Sequence, residues 1–148
     1  RSAFLKALGQ ALSVCERCNT IPTLANVLIE AEGDAVTFRA IDLDIEVLDR
    51  ATAQVERAGA TTVPAVILHE IVRKLPDGAL VALTDDGASG RLTIEAGRSK
   101  FSLATLPRED FPIMASAEYE CNFSTPAALL RRLYEKSKCG ISTEETRY

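Results

Sequence analysis

The chain has 148 residues, of which 47% are hydrophobic, and it carries a net charge of −4 at pH 7. This length allows one domain with a substantial core, or one domain and part of another. No apolar run approaches the roughly 20 residues of a membrane-spanning helix, and four cysteines at 15, 18, 121 and 139 are spaced too unevenly for a disulfide framework. The first residues, Arg1-Ser2-Ala3, contain neither a methionine nor an apolar signal segment. We therefore expect a cytoplasmic protein whose natural sequence begins before Arg1.

The charges are distributed unevenly along the sequence. Three segments with helical periodicity, at 4–17, 65–75 and 126–138, hold eight of the 17 cations and three of the 21 acidic residues, so they carry +5 and the remainder carries −9. The eight cations are Lys6, Arg17, Arg73, Lys74, Arg131, Arg132, Lys136 and Lys138. A negative net charge alone argues against nucleic-acid binding. A basic face on an acidic protein, however, attracts a polyanion to one surface and repels it from the others.

The first half of the chain reads as a helix followed by a sheet. Helix 4–17 has an apolar stripe at three- and four-residue spacing. Its members are Phe4, Leu5, Leu8, Leu12 and Cys15. Alternation at 27–31 and 36–40 around a turn at 32–34 predicts a hairpin. The pattern continues through Leu43, Ile45 and Val47 as a third strand, which leaves Asp42, Asp44 and Glu46 on its solvated face.

The second half repeats this order. A short extended piece at 59–63 leads to Pro64, a favourable first-turn residue for helix 65–75. Strands are expected at 79–84, 91–96 and 99–105, with a turn at 85–90. Thr125 and Pro126 predict the N-terminus of a third helix, whose apolar stripe is Leu129, Leu130 and Leu133. The helices begin about 61 residues apart, which indicates an internal repeat. The predicted class is α+β, with repeated helix-plus-antiparallel-sheet modules and the helices on one face of the sheets.

No catalytic or metal constellation emerges from the remaining residues. Cys15 and Cys18 have C-x-x-C spacing, but they fall at a helix C-terminus, where the dipole does not lower a thiol pKa. His69 is the only histidine, which excludes a site built from several histidines. The acidic residues near 42–46 alternate along a strand and do not wrap an ion as a loop does. We expect no enzyme activity, no cofactor and no metal.

One long stretch carries a family resemblance. Residues 97–112 read G-R-S-K-F-S-L-A-T-L-P-R-E-D-F-P, a predicted last strand followed by a proline-bounded connector. Upstream lie G-A-T-T-V-P-A at 59–65 and N-T-I-P at 19–22 followed by N-V-L at 26–28. These motifs, in this order, resemble the first domain of the bacterial beta sliding clamp family, the processivity subunit of the replicative DNA polymerase III holoenzyme.

The resemblance implies a DNA-clamp fold and a division of the chain. Residues 1–113 would form the clamp N-terminal domain without its first short strand. Residues 114–123 would be a linker and the first strand of the next domain, and 124–148 would begin the central domain with its first helix. In this family two subunits join head to tail into a ring around duplex DNA, with helices lining the hole. The implied function is a non-catalytic processivity factor that contacts DNA without sequence specificity.

The resemblance also assigns roles to residues. The eight helix cations named above would face double-stranded DNA. Strand 99–105 would pair with the other subunit of the homodimer, with Phe101 and Leu103 as apolar contacts and Lys100 at the rim. Polymerase and clamp-loader peptides would bind a pocket mostly outside this chain, with Arg147 and Tyr148 at its edge. Cys18 and Val66 stand where the family usually has cations, and each lost phosphate contact lowers the salt slope of binding by about 0.9.

Two other functions are compatible with the same residues. A clamp-fold module could bind protein rather than DNA, since fold alone does not fix function. A thiol redox protein could use Cys15 and Cys18.

Overall fold

The computed structural model describes residues 1–15, 22–42, 45–87, 89–114 and 121–141. Two compact units are present, Arg1–Met114 and Ala115–Tyr148. No helix in these described ranges is long and apolar enough to cross a membrane.

The described residues of the first unit form two α-helices and two antiparallel sheets, so the predicted α+β class is confirmed. In chain order the elements are α1 (Ser2–Leu12), β1 (Asn26–Glu32), β2 (Ala35–Asp42), β3 (Ile45–Thr52), β4 (Gly59–Pro64), α2 (Ala65–Lys74), β5 (Ala82–Asp85), β6 (Arg91–Ala96) and β7 (Ser99–Ala104). Short 3₁₀ turns occupy Pro22–Ala25 and Arg108–Asp110.

The first sheet has four strands in the order β3-β2-β1-β4. The expected β1–β2 hairpin is present, with Ala31 opposite Val36, and Gly33 adopts a φ of 61° in its turn, a conformation that favours glycine. The sequence predicted three strands here and treated 59–63 as a connecting piece, which was wrong. That piece is β4, which pairs antiparallel with β1; Asn26 lies opposite Pro64 at one end and Ala31 opposite Gly59 at the other. Without β4, β1 would present an unpaired edge.

The second sheet has the order β5-β6-β7. Strand β6 matches the expected 91–96, and β7 ends one residue before the expected 105. Strand β5 begins at Ala82 rather than 79, because Pro76–Ala79 closes a turn after α2.

One core joins both helices and both sheets. Helix α1 contributes Leu8 and α2 contributes Leu68, which are fully buried in the same cluster as Phe38 of β2 and Ile94 of β6. The ring of Phe4 lies 4.9 Å from that of Phe38, centroid to centroid. The predicted apolar stripes therefore face the core. The remaining core side chains are Ala7, Ala11, Cys15, Val27, Ile29, Ala40, Ala51, Val63, Ala65, Val72 and Leu92.

The opposite face of the first sheet, which we call the outer face, is also partly covered. Leu28 of β1 and Ile41 of β2 pack there with Leu24 and Phe111, all at most 4% exposed. Strand β1 is thus buried on both faces, whereas its alternating sequence predicted a half-buried strand. Leu28 is apolar and breaks the alternation, and this residue was the sequence signal for burial on both faces.

Residues 105–114, which we call the connector, are fixed to this outer face. Thr62 Oγ1 donates to the Leu106 carbonyl at 2.9 Å and accepts from the Leu106 N–H at 3.2 Å. Arg108 Nη2 donates to Glu30 Oε1 at 2.9 Å. Phe111 then enters the small apolar cluster. Extended exit past Pro107 was expected, but contact with the sheet was not.

The acidic residues of the predicted third strand do not share a face. Asp42 ends β2, opposite Ile45 at the start of β3, and Glu46 lies opposite Ile41 on the outer face. The predicted continuous alternation was wrong because the chain reverses between β2 and β3, which restarts the pattern. Glu46 accepts from Arg39 Nη1 at 2.6 Å and its side chain is only 15% exposed. Leu43 and Asp44 lie outside the described residues.

Helix boundaries differ modestly from those expected. Helix α1 starts at Ser2 and ends at Leu12, earlier than the predicted 4–17, and residues 16–21 lie outside the described part of the chain. Pro64 and Pro126 occupy N-cap positions rather than the first turn. In the second unit α3 runs Ala127–Ser137, followed by a 3₁₀ turn at Lys138–Gly140.

Candidate nucleic-acid and subunit interfaces

Lys6 occupies the solvent face of α1. Leu8 on the opposite side is fully buried, while Gln10 and Ser13 share the exposure of Lys6. The predicted division of α1 into an apolar and a polar face is therefore present. Arg17, the other cation assigned to this helix, lies outside the described residues.

The last turns of α2 carry a group of three charged side chains, Glu70, Arg73 and Lys74. Arg73 Nη2 donates to Glu70 Oε2 at 2.8 Å, and Lys74 Nζ lies 4.0 Å from the same oxygen. The hydrogen bond from Arg73, with help from Lys74 and His69, lowers the pKa of Glu70. Both cations remain exposed. Exposed pairs of this kind contribute little to stability, so an incoming phosphate can compete for either cation.

Arg1 approaches the same helix end, which the sequence analysis did not anticipate. Its Nε donates to the Val72 carbonyl at 3.1 Å and its Nη2 to the Arg73 carbonyl at 2.5 Å. Its Nη1 pairs with Asp77. The Pro76-Asp77-Gly78 turn was visible in the sequence, but no local pattern indicates a contact between residues more than 70 positions apart.

Helix α3 carries its cations on an exposed surface of the second unit. Arg131 Nε donates to Glu135 Oε1 at 2.9 Å, and Arg131, Arg132 and Lys136 are all exposed. Lys138 follows in the 3₁₀ turn. The stripe of Leu129, Leu130 and Leu133 is 37%, 45% and 54% exposed.

Strand β7 has two different faces. Phe101 lies opposite Ile94 and Leu103 opposite Leu92, so both side chains point to the helix side of the second sheet. Leu103 packs against the core, while Phe101 is 36% exposed. Lys100 lies on the other face, where its Nζ is 2.8 Å from Glu95 Oε1.

A groove of about 270 Å³ runs between β7 and α2. Its apolar lining is Ile67, Ile71, Leu75, Pro76 and Phe101, and its polar lining is Glu70, Lys74 and Ser99. Ile67 is 50% exposed. Lys74 therefore borders the β7 groove, although the sequence assigned it only to a DNA-facing surface.

Cys15 does not have the environment of a reactive thiol. It is 8% exposed and its Sγ lies 3.8 Å from the Asn26 carbonyl oxygen. Burial, with a smaller effect of the Asp42 charge, raises the pKa of Cys15 to about 11. Redox cysteines need a lowered pKa, since the thiolate is the nucleophile. Cys18 lies outside the described residues.

The described residues contain no group of three or more His, Cys, Asp or Glu side chains that could hold a metal ion. Arg147 and Tyr148, the predicted edge of the peptide pocket, fall outside the part of the chain that the structure describes.

Paired helices on one side of two antiparallel sheets, with exposed cations on both helices and an edge strand beside an apolar groove, define the class of clamp-type modules. The family described as "DNA polymerase III beta subunit, N-terminal domain" matches residues 1–115. The chain belongs to this family.

The relatives are sliding clamps. The chain is 52% identical over 148 residues to a beta sliding clamp of Caulobacter vibrioides, covering all of this chain and 40% of the relative. A crystal structure of the DNA polymerase sliding clamp from Caulobacter crescentus superimposes with a TM-score of 0.92 at 52% identity, covering 99% of this chain and 40% of that one. The sliding clamp from Bartonella birtlesii, in a structure bound to griselimycin, gives 0.93 at 46% identity, covering 99% and 39%. The predicted resemblance and clamp fold are confirmed. The chain spans about two fifths of the curated relatives' length.

Proposed function

We propose that the chain forms the first domain and the opening of the second domain of a ring-shaped sliding clamp. The clamp encircles duplex DNA and tethers the replicative polymerase to it. The observation that carries this proposal is membership of the DNA polymerase III beta subunit family, supported by 52% identity to a beta sliding clamp along the whole chain. The protein is a non-catalytic cytoplasmic factor without a cofactor, and its partners are polymerase and clamp-loader subunits.

The helix cations are proposed to contact DNA. Long cationic side chains reach phosphate oxygens, release counterions and read no base sequence. Contacts of this kind leave a nearly flat energy along the duplex, which suits a protein that slides. The proposed set is Lys6, Arg17, Arg73, Lys74, Arg131, Arg132, Lys136 and Lys138.

The edge of β7 is proposed as the homodimer joint. Its main chain would pair with a strand of the other subunit, and Phe101 would extend the apolar groove into the interface. Leu103 packs against the core and would support the interface from there, and Lys100 would lie at its rim on the other sheet face. The proposed division of the chain is 1–113 for the first domain, 114–123 for the linker and first strand of the next domain, and 124–148 for the start of the central domain. The pocket edge at Arg147 and Tyr148 belongs to the same proposal.

The two other functions have less support. A protein-binding module without DNA tethering is not favoured, because the relatives from Caulobacter, Pseudomonas and Escherichia coli are beta sliding clamps. The raised pKa of Cys15 disfavours thiol redox chemistry at this residue.

The test uses the full-length protein, its loader and nicked circular DNA. After loading, half of the sample is linearised and retention of the protein is measured at about 1 M salt, where the Debye length is about 3 Å. We expect retention on circles and loss from linear ends, because a ring is held by topology. Equal loss from circles and linear DNA would reject the proposal. The double variant Arg73→Ala/Lys74→Ala is the matched control, since it should still be retained on circles while the salt slope of its loader-independent binding falls by about two.

A further inference from the structure

Two helix ends of opposite polarity meet beside Arg1. The N-terminus of α1 begins at Ser2, and the side chain of the preceding Arg1 reaches the last turn of α2 at Val72 and Arg73. The packed helices α1 and α2 therefore have the start of one next to the end of the other. The Arg1 side chain is only 15% exposed, so its guanidinium is held within this junction.

The last carbonyls of a helix have no partner within the helix. In α2, Leu75 N–H returns to the Val72 carbonyl at 3.3 Å, a long hydrogen bond, and the chain then turns to an extended conformation with a ψ of 151° at Leu75. Arg1 supplies additional donors to Val72 and Arg73 and a positive charge at the negative end of the helix dipole. Nη1 also pairs with Asp77 in the turn that follows.

We propose that Arg1 is a positioning residue that fixes the last turn of α2 against α1, and thereby orients Arg73 and Lys74. Only a guanidinium can serve this junction, since its planar donors reach two carbonyls and a carboxylate together, whereas an ammonium is a compact point charge. Arg1 makes no contribution as a phosphate ligand itself, because its donors are already directed to Val72, Arg73 and Asp77. The part of this inference that concerns DNA rests on the proposed function, and the part that concerns α2 does not.

The first experiment measures amide hydrogen exchange in the full-length protein without DNA. We expect Arg1→Ala to lower protection at Arg73, Lys74 and Leu75 by about tenfold, since a hydrogen bond to a charged donor is lost. Arg1→Lys should restore only part of this protection. The matched control is Arg50→Ala, which removes an exposed arginine 3.7 Å from Asp34 on the first sheet. Unchanged protection in Arg1→Ala, full restoration by lysine, or a loss spread evenly over both sheets would each overturn the proposal.

The second experiment compares the salt slope of loader-independent DNA binding in two backgrounds. In the wild-type background Arg1→Ala should lower the slope by about one to two, because each lost phosphate contact contributes about 0.9. In the Arg73→Ala/Lys74→Ala background the same change should have no further effect, because the residues that Arg1 positions are gone. An equal decrease in both backgrounds would mean that Arg1 contacts phosphate directly, which would overturn the positioning role.

The two experiments separate this inference from the function on which it partly rests. If Arg73→Ala/Lys74→Ala leaves the slope unchanged, the assignment of α2 to DNA fails. Amide exchange at the end of α2 then still decides whether Arg1 holds that turn.

Discussion

Cys15 serves as a small apolar residue of the core rather than as a reactive thiol. It lies three residues after the end of α1, in the main core, with its Sγ near the Asn26 carbonyl. The C-x-x-C spacing left a redox role open, although its predicted place at a helix C-terminus argued against it, and the packing places Cys15 in the core. Cys121 and Cys139, in contrast, are exposed thiols.

Burial of Cys15 predicts a specific pH dependence of stability. Burial raises the pKa of the Cys15 thiol from its ordinary value of 9.0 to about 11 in the folded protein. Folding therefore favours the neutral thiol, so the stabilisation is complete below pH 9 and is lost as the pH rises through about 11. The loss is about 3 kcal/mol at most. Urea unfolding of wild type and Cys15→Ala between pH 8 and 11 measures the difference, and parallel profiles of the two proteins would contradict the prediction.

The four-stranded sheet was the element that sequence reasoning described least completely. Periodicity correctly predicted helices near 4–17 and 65–75 and the hairpin around Gly33, because each is determined by neighbouring residues. The pairing of β4 with β1 joins residues more than 25 positions apart, and no local pattern encodes it.

The same limit applies to the candidate sites. The exposed cations of α2 were identified by charge, but their pairing with Glu70 and the arrival of Arg1 depend on tertiary contacts.

Thr62 is the residue that attaches the connector to β4. It is fully buried, and its hydroxyl both donates to and accepts from the backbone of Leu106. The amide of Asn26 also points to this oxygen at 3.4 Å. A single side chain therefore joins β4, β1 and the connector.

Thr62→Val should loosen the connector while preserving the shape of the side chain. Loss of the hydroxyl leaves the backbone groups of Leu106 without this partner, which we expect to cost about 1–3 kcal/mol. Urea denaturation should report the change, and hydrogen exchange at Leu106 should accelerate more than at β6. The matched control is Thr84→Val on an exposed position of β5. Equal effects of the two substitutions would show that Thr62 has no special role.

At the scale of the whole molecule, the edge of β7 and the groove beside α2 form one surface. Phe101 belongs to both the strand and the groove lining. Unpaired strand edges in natural proteins are usually protected by charge or by a partner. The proposed dimer supplies such a partner.

A charge at Phe101 should therefore weaken the dimer. We expect Phe101→Asp in the full-length protein to raise the dimer dissociation constant at least about 30-fold, because burying an unpaired carboxylate costs about 2 kcal/mol or more. Sedimentation velocity across a dilution series measures the shift. Leu80→Asp is the matched control, since Leu80 is an 88% exposed apolar residue outside the groove. A Phe101→Asp protein that stays dimeric as tightly as Leu80→Asp would place the joint elsewhere.

The double burial of β1 has a consequence for synthesis on the ribosome. One face of this strand is covered by α2 and β6, which are synthesised later. The other face is covered by Phe111, which is synthesised roughly 80 residues after β1 is complete. At about 5–20 residues per second this interval is about 4–16 s. During that time Leu28 and Ile41, on the outer face of the nascent β1–β2 hairpin, lack their partner Phe111. A chaperone that binds exposed apolar segments of nascent chains would therefore be able to bind this face throughout that interval.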